Sequence, residues 1–246
     1  MPLESPTLLI DMDFFCYRAA SASEEELEFS YDQTVIIGSL VNGQRIIKEQ
    51  LHQLRTRFDT NKLILFWTDT RNFRKTVDPS YKGNRIKRKP AGYLKLKTWC
   101  MESYEFVLLP NLEADDALGI YATKGDITNF VLVSPDKDME QIPCRIYNLK
   151  EEFTQTPEDA ERKLWLQTLT GDSTDGYKGC PGIGPKSANY ILDNRKGSYW
   201  EACLETFEDK GLTEEDALRN LRLARILQVT DWDADKQEPI LYTPSS

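Results

Sequence analysis

Four stretches of this sequence place acidic residues directly after an apolar run. The acids are Asp11, Asp69, the group from Glu113 to Asp116, and Asp136 with Asp138. A single aspartate at a strand end often serves as a helix cap, but four in succession favour a shared site. Clustered carboxylates repel one another, and oxygen-only ligands favour Mg²⁺ or Mn²⁺. Two such ions about 3.5–4 Å apart can activate water and stabilise the leaving oxygen in phosphodiester hydrolysis.

A glycine-rich run provides a second kind of chemistry. Residues 171–188 read GDSTDGYKGCPGIGPKSA, in which Asp172 and Asp175 stand beside glycines. The Gly-x-Gly turn at 182–184 leads into the start of a helix, and exposed backbone amides at such a turn suit a phosphate. Acids that could hold a metal therefore lie a few residues from amides that could hold a nucleic-acid backbone. This combination indicates a metal-dependent nuclease.

The composition excludes several other classes of protein. The only histidine, His52, lies in an amphipathic run, which argues against a Ser-His-Asp triad, an HExxH zinc site and histidine-based nucleases. Five cysteines without CxxC spacing are expected to be reduced thiols of a cytoplasmic protein. We expect no membrane association, because no apolar run reaches the roughly 18–20 residues that span a bilayer and no signal peptide is recognised.

Charge is distributed unevenly along the chain. The net charge of −9 at first argues against a nucleic-acid binder. Residues 71–97 nevertheless contain ten bases and one acid, a net charge of +9, so that the remainder carries −18. A local basic stripe of this kind can bind phosphates. The alternative reading is a solvated basic loop.

The elements that must position these residues are strands alternating with helices. Strands are predicted at residues 7–10, 62–67, 105–109, 130–134 and 145–149, and helices at 33–58, 93–103, 112–124, 157–170, 185–194, 198–209 and 213–228. Residues 21–32 are acidic and predicted to be irregular. Ligands of an open parallel sheet bind beyond the carboxyl ends of its strands, where these acids fall. The order of elements predicts an α/β sheet followed by a helical module.

Six motifs, taken together and in order, resemble the 5′-nuclease superfamily of flap endonucleases and 5′→3′ exonucleases. They are LLIDMDFFCYRA, FWTDTRNFRKTVDPSYKGNR, LEADDALG, SPDKDMEQI, GDSTDGYKGCPGIGPKSA and ARILQVTD. The sequence is most similar to the short exonucleases of lytic tailed phages. The resemblance implies a PIN-like nuclease core over residues 1–156, with a mostly parallel sheet flanked by helices and a basic arch or clamp at about 71–103. It implies an all-helical DNA-binding module with a helix–hairpin–helix over residues 157–246.

The resemblance also implies two metal sites. The first would use Asp11, Asp69, Glu113 and Asp115, and the second Asp136, Asp138, Asp172 and Asp175. Asp116 is adjacent to both and would act through water or through a neighbouring ligand. The sequence itself leaves three alternatives open: Asp13 in place of Asp11 at the strand end, a capping role for Asp138, and a supporting role for Asp175.

Further residues are implied to contact nucleic acid. Lys82 and Arg85 match a catalytic pair that contacts the scissile phosphate. Tyr81 matches an aromatic that stacks on a terminal base, although a core position is the alternative. The remaining DNA-binding candidates are Arg88 and Lys89 in the basic segment and Gly182, Ile183, Gly184 and Lys186 in the hairpin, where family members also bind K⁺.

The expected function is a divalent-metal-dependent 5′→3′ exonuclease or flap endonuclease that uses two Mg²⁺ ions, replaceable by Mn²⁺. Its expected partners are duplex DNA with 5′ ends or flaps, RNA–DNA hybrids as a further candidate substrate, and replication proteins, with the protein acting as a monomer in phage replication or recombination. Two alternatives are a non-catalytic DNA-binding protein and a PIN-type ribonuclease.

Overall fold

A six-stranded sheet lies at the centre of the computed structural model, which describes residues 4–84 and 88–244. Its strands are β1 (Thr7–Asp11), β4 (Leu63–Phe66), β5 (Phe106–Val107), β6 (Phe130–Val133), β7 (Arg145–Tyr147) and β8 (Glu152–Thr154). They lie in the order β5-β4-β1-β6-β7-β8, and all neighbours are parallel except β7 and β8. The five predicted strands are confirmed, whereas β8 was not predicted.

Helices cover both faces of this sheet. They are α1 (Met12–Ser21), α2 (Leu40–Phe58), α3 (Arg74–Val77), α4 (Tyr93–Ser103), α5 (Ala114–Lys124), α6 (Pro157–Thr170), α7 (Pro185–Asp193), α8 (Tyr199–Glu208) and α9 (Glu214–Ala224). Side chains alternate along a strand, so that Leu8 and Ile10 pack against α1, α2 and α4, and Leu9 packs against α5. The expected parallel sheet flanked by helices is therefore confirmed. None of the helices in the described ranges is long and apolar enough to cross a membrane.

An exposed hairpin replaces part of a predicted helix. Residues 21–32 were expected to be irregular and 33–58 helical, but the chain forms β2 (Glu24–Ser30) and β3 (Gln33–Gly38), which pair antiparallel. Helix α2 begins only at Leu40, where the Ser39 side chain caps it by accepting a hydrogen bond from the Asn42 amide. The β-branched run at 35–37 favours strand over helix, which explains the difference.

The C-terminal region is mainly, but not wholly, helical. Helices α6 to α9 share one hydrophobic cluster. Two short hairpins correct the all-helical prediction: β9 (Gly171–Asp172) with β10 (Tyr177–Lys178), and β11 (Trp232–Asp233) with β12 (Glu238–Pro239). The last predicted helix ends at Ala224, not at 228. Ile226 and Leu227, beyond that helix, pack into clusters of the α/β region, and the boundary at 156/157 stays a prediction.

Candidate active site

The carboxyl edge of the sheet encloses a cavity of about 160 Å³. It is lined by residues of β1, α1 and α5, of the segment that follows β6, and of the β9–β10 connection. Seven carboxylates line the cavity together with Lys82 and Arg74; they belong to Asp11, Asp13, Glu113, Asp115, Asp136, Asp138 and Asp175. The fold therefore brings most of the predicted strand-end acids together at one edge of the sheet.

Asp11 and Asp13 differ in their hydrogen-bond partners. Asp11 ends β1, is 8% exposed and accepts a hydrogen bond from Ser134 Oγ at 3.0 Å. Burial and then the charge of Asp13 raise the pKa of Asp11 to about 7. The two oxygens of Asp13 accept hydrogen bonds from the Thr68 amide and the Tyr93 hydroxyl, each at 2.8 Å. Asp13 therefore links α1 to α4 and to the segment after β4, and Asp11 is the better candidate ligand.

Glu113 is surrounded by cations and a phenol. It precedes α5 as its N-cap. Its Oε1 pairs with Lys82 Nζ, while its Oε2 lies 2.9 Å from the Tyr81 hydroxyl and 3.3 Å from Arg74 Nη1. Burial alone would raise the pKa of Glu113, but Lys82 and Arg74 outweigh it and lower that pKa to about 2. Glu113 is therefore held in its ionised form.

Asp115 also lines the cavity. Within residues 4–84 and 88–244, no hydrogen bond or ion pair is formed by its side chain. Burial, followed by the charges of Asp11 and Asp136, raises the pKa of Asp115 well above its usual range. The charge of Lys82 acts in the opposite direction but does not outweigh these causes.

Asp136 and Asp138 follow β6. Asp136 caps the 3₁₀ helix Lys137–Gln141 by accepting a hydrogen bond from the Asp138 amide at 2.9 Å. Asp138 Oδ2 accepts one from Gln167 Nε2 at 3.0 Å, whereas its Oδ1 is buried without a hydrogen-bond partner in the described part of the chain. Burial and the Asp136 charge raise the pKa of Asp138 to about 6. The capping role considered for Asp138 thus belongs to Asp136.

The β9–β10 connection brings Asp175 to the cavity. Its Oδ2 lies 2.8 Å from the Tyr81 hydroxyl and 3.5 Å from Lys82 Nζ. Its carbonyl accepts a hydrogen bond from the Lys82 amide at 2.7 Å. Asp172 does not line the cavity; it pairs with Lys137 at 3.4 Å and accepts a hydrogen bond from the Thr174 amide.

Three predicted site residues are held by contacts within the protein. Asp69 stands three residues beyond β4, outside the cavity, and its two oxygens accept hydrogen bonds from the Thr70 and Asn111 amides. Asp116 is 0% exposed, and both its oxygens pair with Arg74. Tyr81 is 2% exposed, stacked on Tyr177, and cannot meet a terminal base there. The core position considered for Tyr81 is therefore correct.

The remaining predicted residues lie at the surface or outside the described ranges. Arg85 lies outside them. Arg88 and Lys89 are exposed, and Arg88 pairs with Glu24 at 2.6 Å. In the turn before α7, Gly182, Gly184 and Lys186 are exposed and Ile183 is half-buried. The β9–β10 hairpin, and not a helix, directly precedes this turn, and the helix–hairpin–helix stays a prediction.

Arg74 is a functional candidate that the sequence did not single out. It is 1% exposed, and its guanidinium contacts Glu113 and Asp116. In the sequence it is one of ten bases in a basic segment, and no local pattern separates it from the exposed Arg71. Only the fold reveals that it is buried.

A comparison with known families identifies the chain. Residues 6–164 match the family described as "5′-3′ exonuclease, N-terminal resolvase-like domain". The chain belongs to this family. It is 28% identical to the exodeoxyribonuclease of Enterobacteria phage T3, over 97% of this chain and 93% of that protein. It is 29% identical to the exonuclease of Escherichia phage T7, over 96% of this chain and 93% of that one.

Other relatives agree with this assignment. The flap endonuclease Xni of Shewanella pealeana is 31% identical over 59% of this chain and 65% of its own length. The phage T5 D15 protein, co-crystallised with metal ions, has the same fold, with a TM-score of 0.68 at 17% identity over 89% of each chain. The expected superfamily near the phage exonucleases and the expected enzyme class, a 5′→3′ exonuclease or flap nuclease, are confirmed.

The carboxylates of this 5′-nuclease suit a divalent cation in their type and charge. Their present positions, however, are not those of ligands around one ion. Over the described ranges, no three acidic side chains are arranged to hold one metal ion. Lys82 and Arg74 compensate some of the negative charge, and carboxylates without a counter-charge between them repel one another. Asp138 Oδ1 is buried without a hydrogen-bond partner in the described residues, and the pKa of Asp115 is raised. At both carboxylates the negative charge is not fully compensated by the protein. An oxygen-only donor set of this kind fits Mg²⁺ or Mn²⁺.

Proposed function

We propose that this protein hydrolyses phosphodiesters near the 5′ ends of duplex DNA and depends on divalent metal ions to do so. The observation that carries the proposal is the meeting of seven carboxylates and Lys82 in one cavity, at the edge where parallel sheets bind ligands. The names of the T3 and T7 relatives, exodeoxyribonuclease and exonuclease, support it, as does the flap endonuclease from Shewanella.

Two groups of residues would hold the metal ions. Asp11, Glu113 and Asp115 form the first candidate group, and Asp136, Asp138 and Asp175 the second, with Asp172 close to the latter. Two bound Mg²⁺ ions would supply an activated water and stabilise the departing oxygen. Structures of phage T5 nucleases with bound metal ions, zinc among them, support divalent metals in general.

Lys82 would contact the scissile phosphate. Its ammonium lies among the cavity acids, where burial would lower its pKa but Glu113 and Asp175 outweigh burial and raise it. Lys82 is therefore charged, and turning from Glu113 towards the substrate would place that charge beside the phosphate. Arg85 is proposed as the second cation of the pair, as the sequence predicts.

Exposed residues outside the cavity would hold the DNA. The amides at Gly182 and Gly184, with Lys186 at the start of α7, would contact the duplex backbone, and K⁺ bound at the hairpin is part of the same proposal. Arg88 and Lys89 would lie along the 5′ end. A phage T5 D15 flap endonuclease with this fold has been solved in complex with DNA and metal ions, which supports duplex binding. We further propose that the protein acts as a monomer, that RNA–DNA hybrids are additional substrates, and that replication proteins are its partners.

A duplex labelled at either end tests the polarity and the metal requirement together. With Mg²⁺, a 5′ label should leave as mononucleotides or short oligomers, while a 3′ label on the same strand should remain on long fragments at early times. EDTA should stop release. Loss that begins at the 3′ end would refute the polarity, and undiminished release in EDTA would refute metal dependence.

Competition among substrates tests the preferred nucleic acid. Blunt, flapped and RNA-primed duplexes carrying distinguishable 5′ labels are incubated in one reaction with single-stranded RNA. Faster cleavage of the duplex substrates is expected, because the exposed turn before α7 suits a duplex backbone. A clear preference for single-stranded RNA would instead favour the PIN-type ribonuclease.

A further inference from the structure

Residues 223–227, the end of α9 and the three residues after it, form part of the cavity wall. Leu223, Ala224 and Ile226 line the cavity, and none of the three is more than 6% exposed. An ion pair anchors this segment at its centre, where Arg225 Nη2 lies 2.8 Å from Asp231 Oδ2. The segment coincides with the start of the ARILQVTD motif, to which the proposed chemistry assigns no role.

The odd-numbered residues of the segment contact Arg74 and its partner Asp116. Arg74 donates from Nε to the Leu223 carbonyl at 3.0 Å and from Nη2 to the Arg225 carbonyl at 2.5 Å. Its other donors reach both oxygens of Asp116 and Glu113 Oε2. All five N–H groups of the guanidinium are therefore used. The Leu227 amide adds a hydrogen bond to Asp116 Oδ1 at 3.2 Å.

The even-numbered residues contact a pair of buried glutamines. Gln141 Nε2 donates to the Ala224 carbonyl at 2.8 Å, and Gln141 Oε1 accepts from the Ile226 amide at 3.0 Å. Gln141 also donates to Gln167 Oε1 at 2.8 Å, and Gln167 Nε2 donates to Asp138 Oδ2 at 3.0 Å. The two glutamines are 3% and 7% exposed, so this chain of hydrogen bonds is shielded from water.

We propose that residues 223–227 are a brace that sets the spacing between Glu113 and Asp138, with Arg74, Gln141 and Gln167 as positioning residues. The Leu223 and Ala224 carbonyls belong to the last turn of α9, where carbonyls lack partners within the helix, and Arg225 leaves the helix in an extended conformation. The polar groups of this short segment thereby reach Arg74 on one side and Gln141 on the other, so that it serves both carboxylates. The proposal rests on the proposed function, because the spacing matters only if both carboxylates act on one phosphodiester. Catalytic groups must be held within about 0.5 Å of a productive position.

Substitution by methionine tests the glutamine side of the brace. Gln167→Met and Gln141→Met keep nearly the same side-chain length and volume but remove the hydrogen bonds. Gln155→Met is the matched control, since Gln155 is half-buried and donates to the Glu140 carbonyl at 2.7 Å without contacting the brace. The double variant Gln141→Met with Gln167→Met tests whether the two glutamines act in series.

Four quantities are measured for each variant. They are the single-turnover rate of 5′-label release, the Mg²⁺ concentration for half-maximal rate, the Mn²⁺ affinity without DNA, and the DNA affinity in Ca²⁺. We expect the rate or the metal affinity to fall about 10–100-fold in both single variants, the usual cost of losing a partner of a metal ligand. The double variant should be no worse than the more affected single variant. DNA affinity, and every quantity in the Gln155→Met control, should be unchanged.

The outcomes separate the brace from the proposed function. If the wild-type protein releases no label with Mg²⁺, the proposed function fails, and the Mn²⁺ affinities alone decide whether the brace exists. Rates and Mn²⁺ affinities equal to those of Gln155→Met would overturn the brace, even if the free energy of unfolding decreased. Should Gln167→Met fail to fold, Gln141→Met carries the same test through the next residue of the chain of hydrogen bonds.

Discussion

The pKa values of the buried cavity carboxylates shift in opposite directions, depending on whether neighbouring cations outweigh the effect of burial. Glu113, between Lys82 and Arg74, has a pKa of about 2, whereas Asp11, which pairs with no cation among the described residues, has a pKa of about 7. The strand-end position of Asp11 could be predicted from the sequence, because it depends on a local pattern. The pairing of Arg74 with residues 39 and 149 positions away could not, because no local pattern encodes such distant contacts.

The metal-free protein should become less stable as the pH rises from about 5 to 8. Asp11 has a usual pKa of 3.8 that burial and Asp13 raise to about 7, so its favourable contribution exists while it is protonated and is lost as the pH rises through 7. Asp138, with a pKa raised to about 6, acts in the same direction. Each group contributes at most roughly 1.4 kcal/mol per pH unit. Urea unfolding in EDTA measures this slope.

Asp11→Asn provides the check on that prediction, and Asp126→Asn is the matched surface control. Asp11→Asn should flatten the dependence of the unfolding free energy on pH. Asp126 pairs with Lys124 at the surface, so Asp126→Asn should leave this pH dependence unchanged. Glu113 contributes no slope in this range, since its lowered pKa places its titration below about pH 4.5. Stability that is flat or increases from pH 5 to 8 in wild-type protein would contradict the assignment.

Tyr81→Phe tests what the buried hydroxyl of this core residue contributes to stability. The change removes a hydroxyl that lies within 2.9 Å of Glu113 and Asp175. The free energy of unfolding should fall by about 1–3 kcal/mol, as for hydrogen bonds to charged groups. DNA affinity should be unchanged because the ring is buried. The control is Tyr31→Phe at the exposed tip of the β2–β3 hairpin, which should change neither quantity. An unchanged free energy of unfolding in Tyr81→Phe would contradict a stabilising role for this hydroxyl.

At the scale of elements, the β9–β10 hairpin fixes where Asp172 and Asp175 lie relative to α6. Gly171 and Gly179 pack so closely that a Cβ on Gly179 would lie 2.3 Å from the Leu169 carbonyl oxygen. The Cys180 amide donates to this same carbonyl at 2.8 Å. The link between the acids and the turn before α7 is therefore tightly packed, which the glycines alone did not predict.

Gly179→Ala should disturb both stability and cleavage. The added methyl group has no room, and overpacking of this kind costs about 1–3 kcal/mol or more. The control is Gly184→Ala, because a Cβ there meets nothing within 4 Å and φ is −95°. Urea unfolding and 5′-label release should be impaired by the first substitution, while unfolding should be nearly unaffected by the second. Equal stability of the two variants would contradict the tight packing.

Elements that a local sequence pattern marks could be predicted, whereas features that depend on distant contacts could not. The buried strands and the helix Pro157–Thr170 were predictable because hydrophobic period and an N-terminal proline mark them. The β2–β3 hairpin was not, because its apolar side chains stay exposed and its alternation runs into α2. The sequence places Asp69 after a strand but does not reveal that two loop amides donate to its oxygens, and its role as a metal ligand stays a prediction.

Across the whole molecule, an acidic protein carries a basic segment beside its acidic cavity. The overall charge is −9, yet Lys89 is exposed and Arg88 is partly compensated by Glu24. Long-range repulsion by the acidic remainder would oppose DNA binding. We therefore expect binding to depend strongly on salt and on the few basic residues that remain free to contact phosphates.

Lys89→Gln should weaken DNA binding and its salt dependence together. Losing one phosphate contact should reduce the slope of log affinity against log salt by about 0.9. Lys62→Gln is the control, since Lys62 pairs with Glu4 near the N-terminus. This substitution should leave the slope unchanged. Titrations with duplex DNA in Ca²⁺ at several salt concentrations provide the measurement. An unchanged slope for Lys89→Gln would remove Lys89 from the binding surface.

We propose that the cavity carboxylates act together in cleavage at 5′ ends. Asp136 tests it best, because its charge contributes to the raised pKa of Asp11, Asp115 and Asp138 and it therefore lies among both candidate groups. The measurement is single-turnover release of a 5′ label in Mg²⁺ by Asp136→Asn, beside Asp126→Asn and with DNA affinity determined in Ca²⁺. We predict a rate lower by more than about 100-fold, beyond the usual loss for a supporting partner, with DNA affinity retained. Cleavage by Asp136→Asn at the wild-type rate would contradict the account.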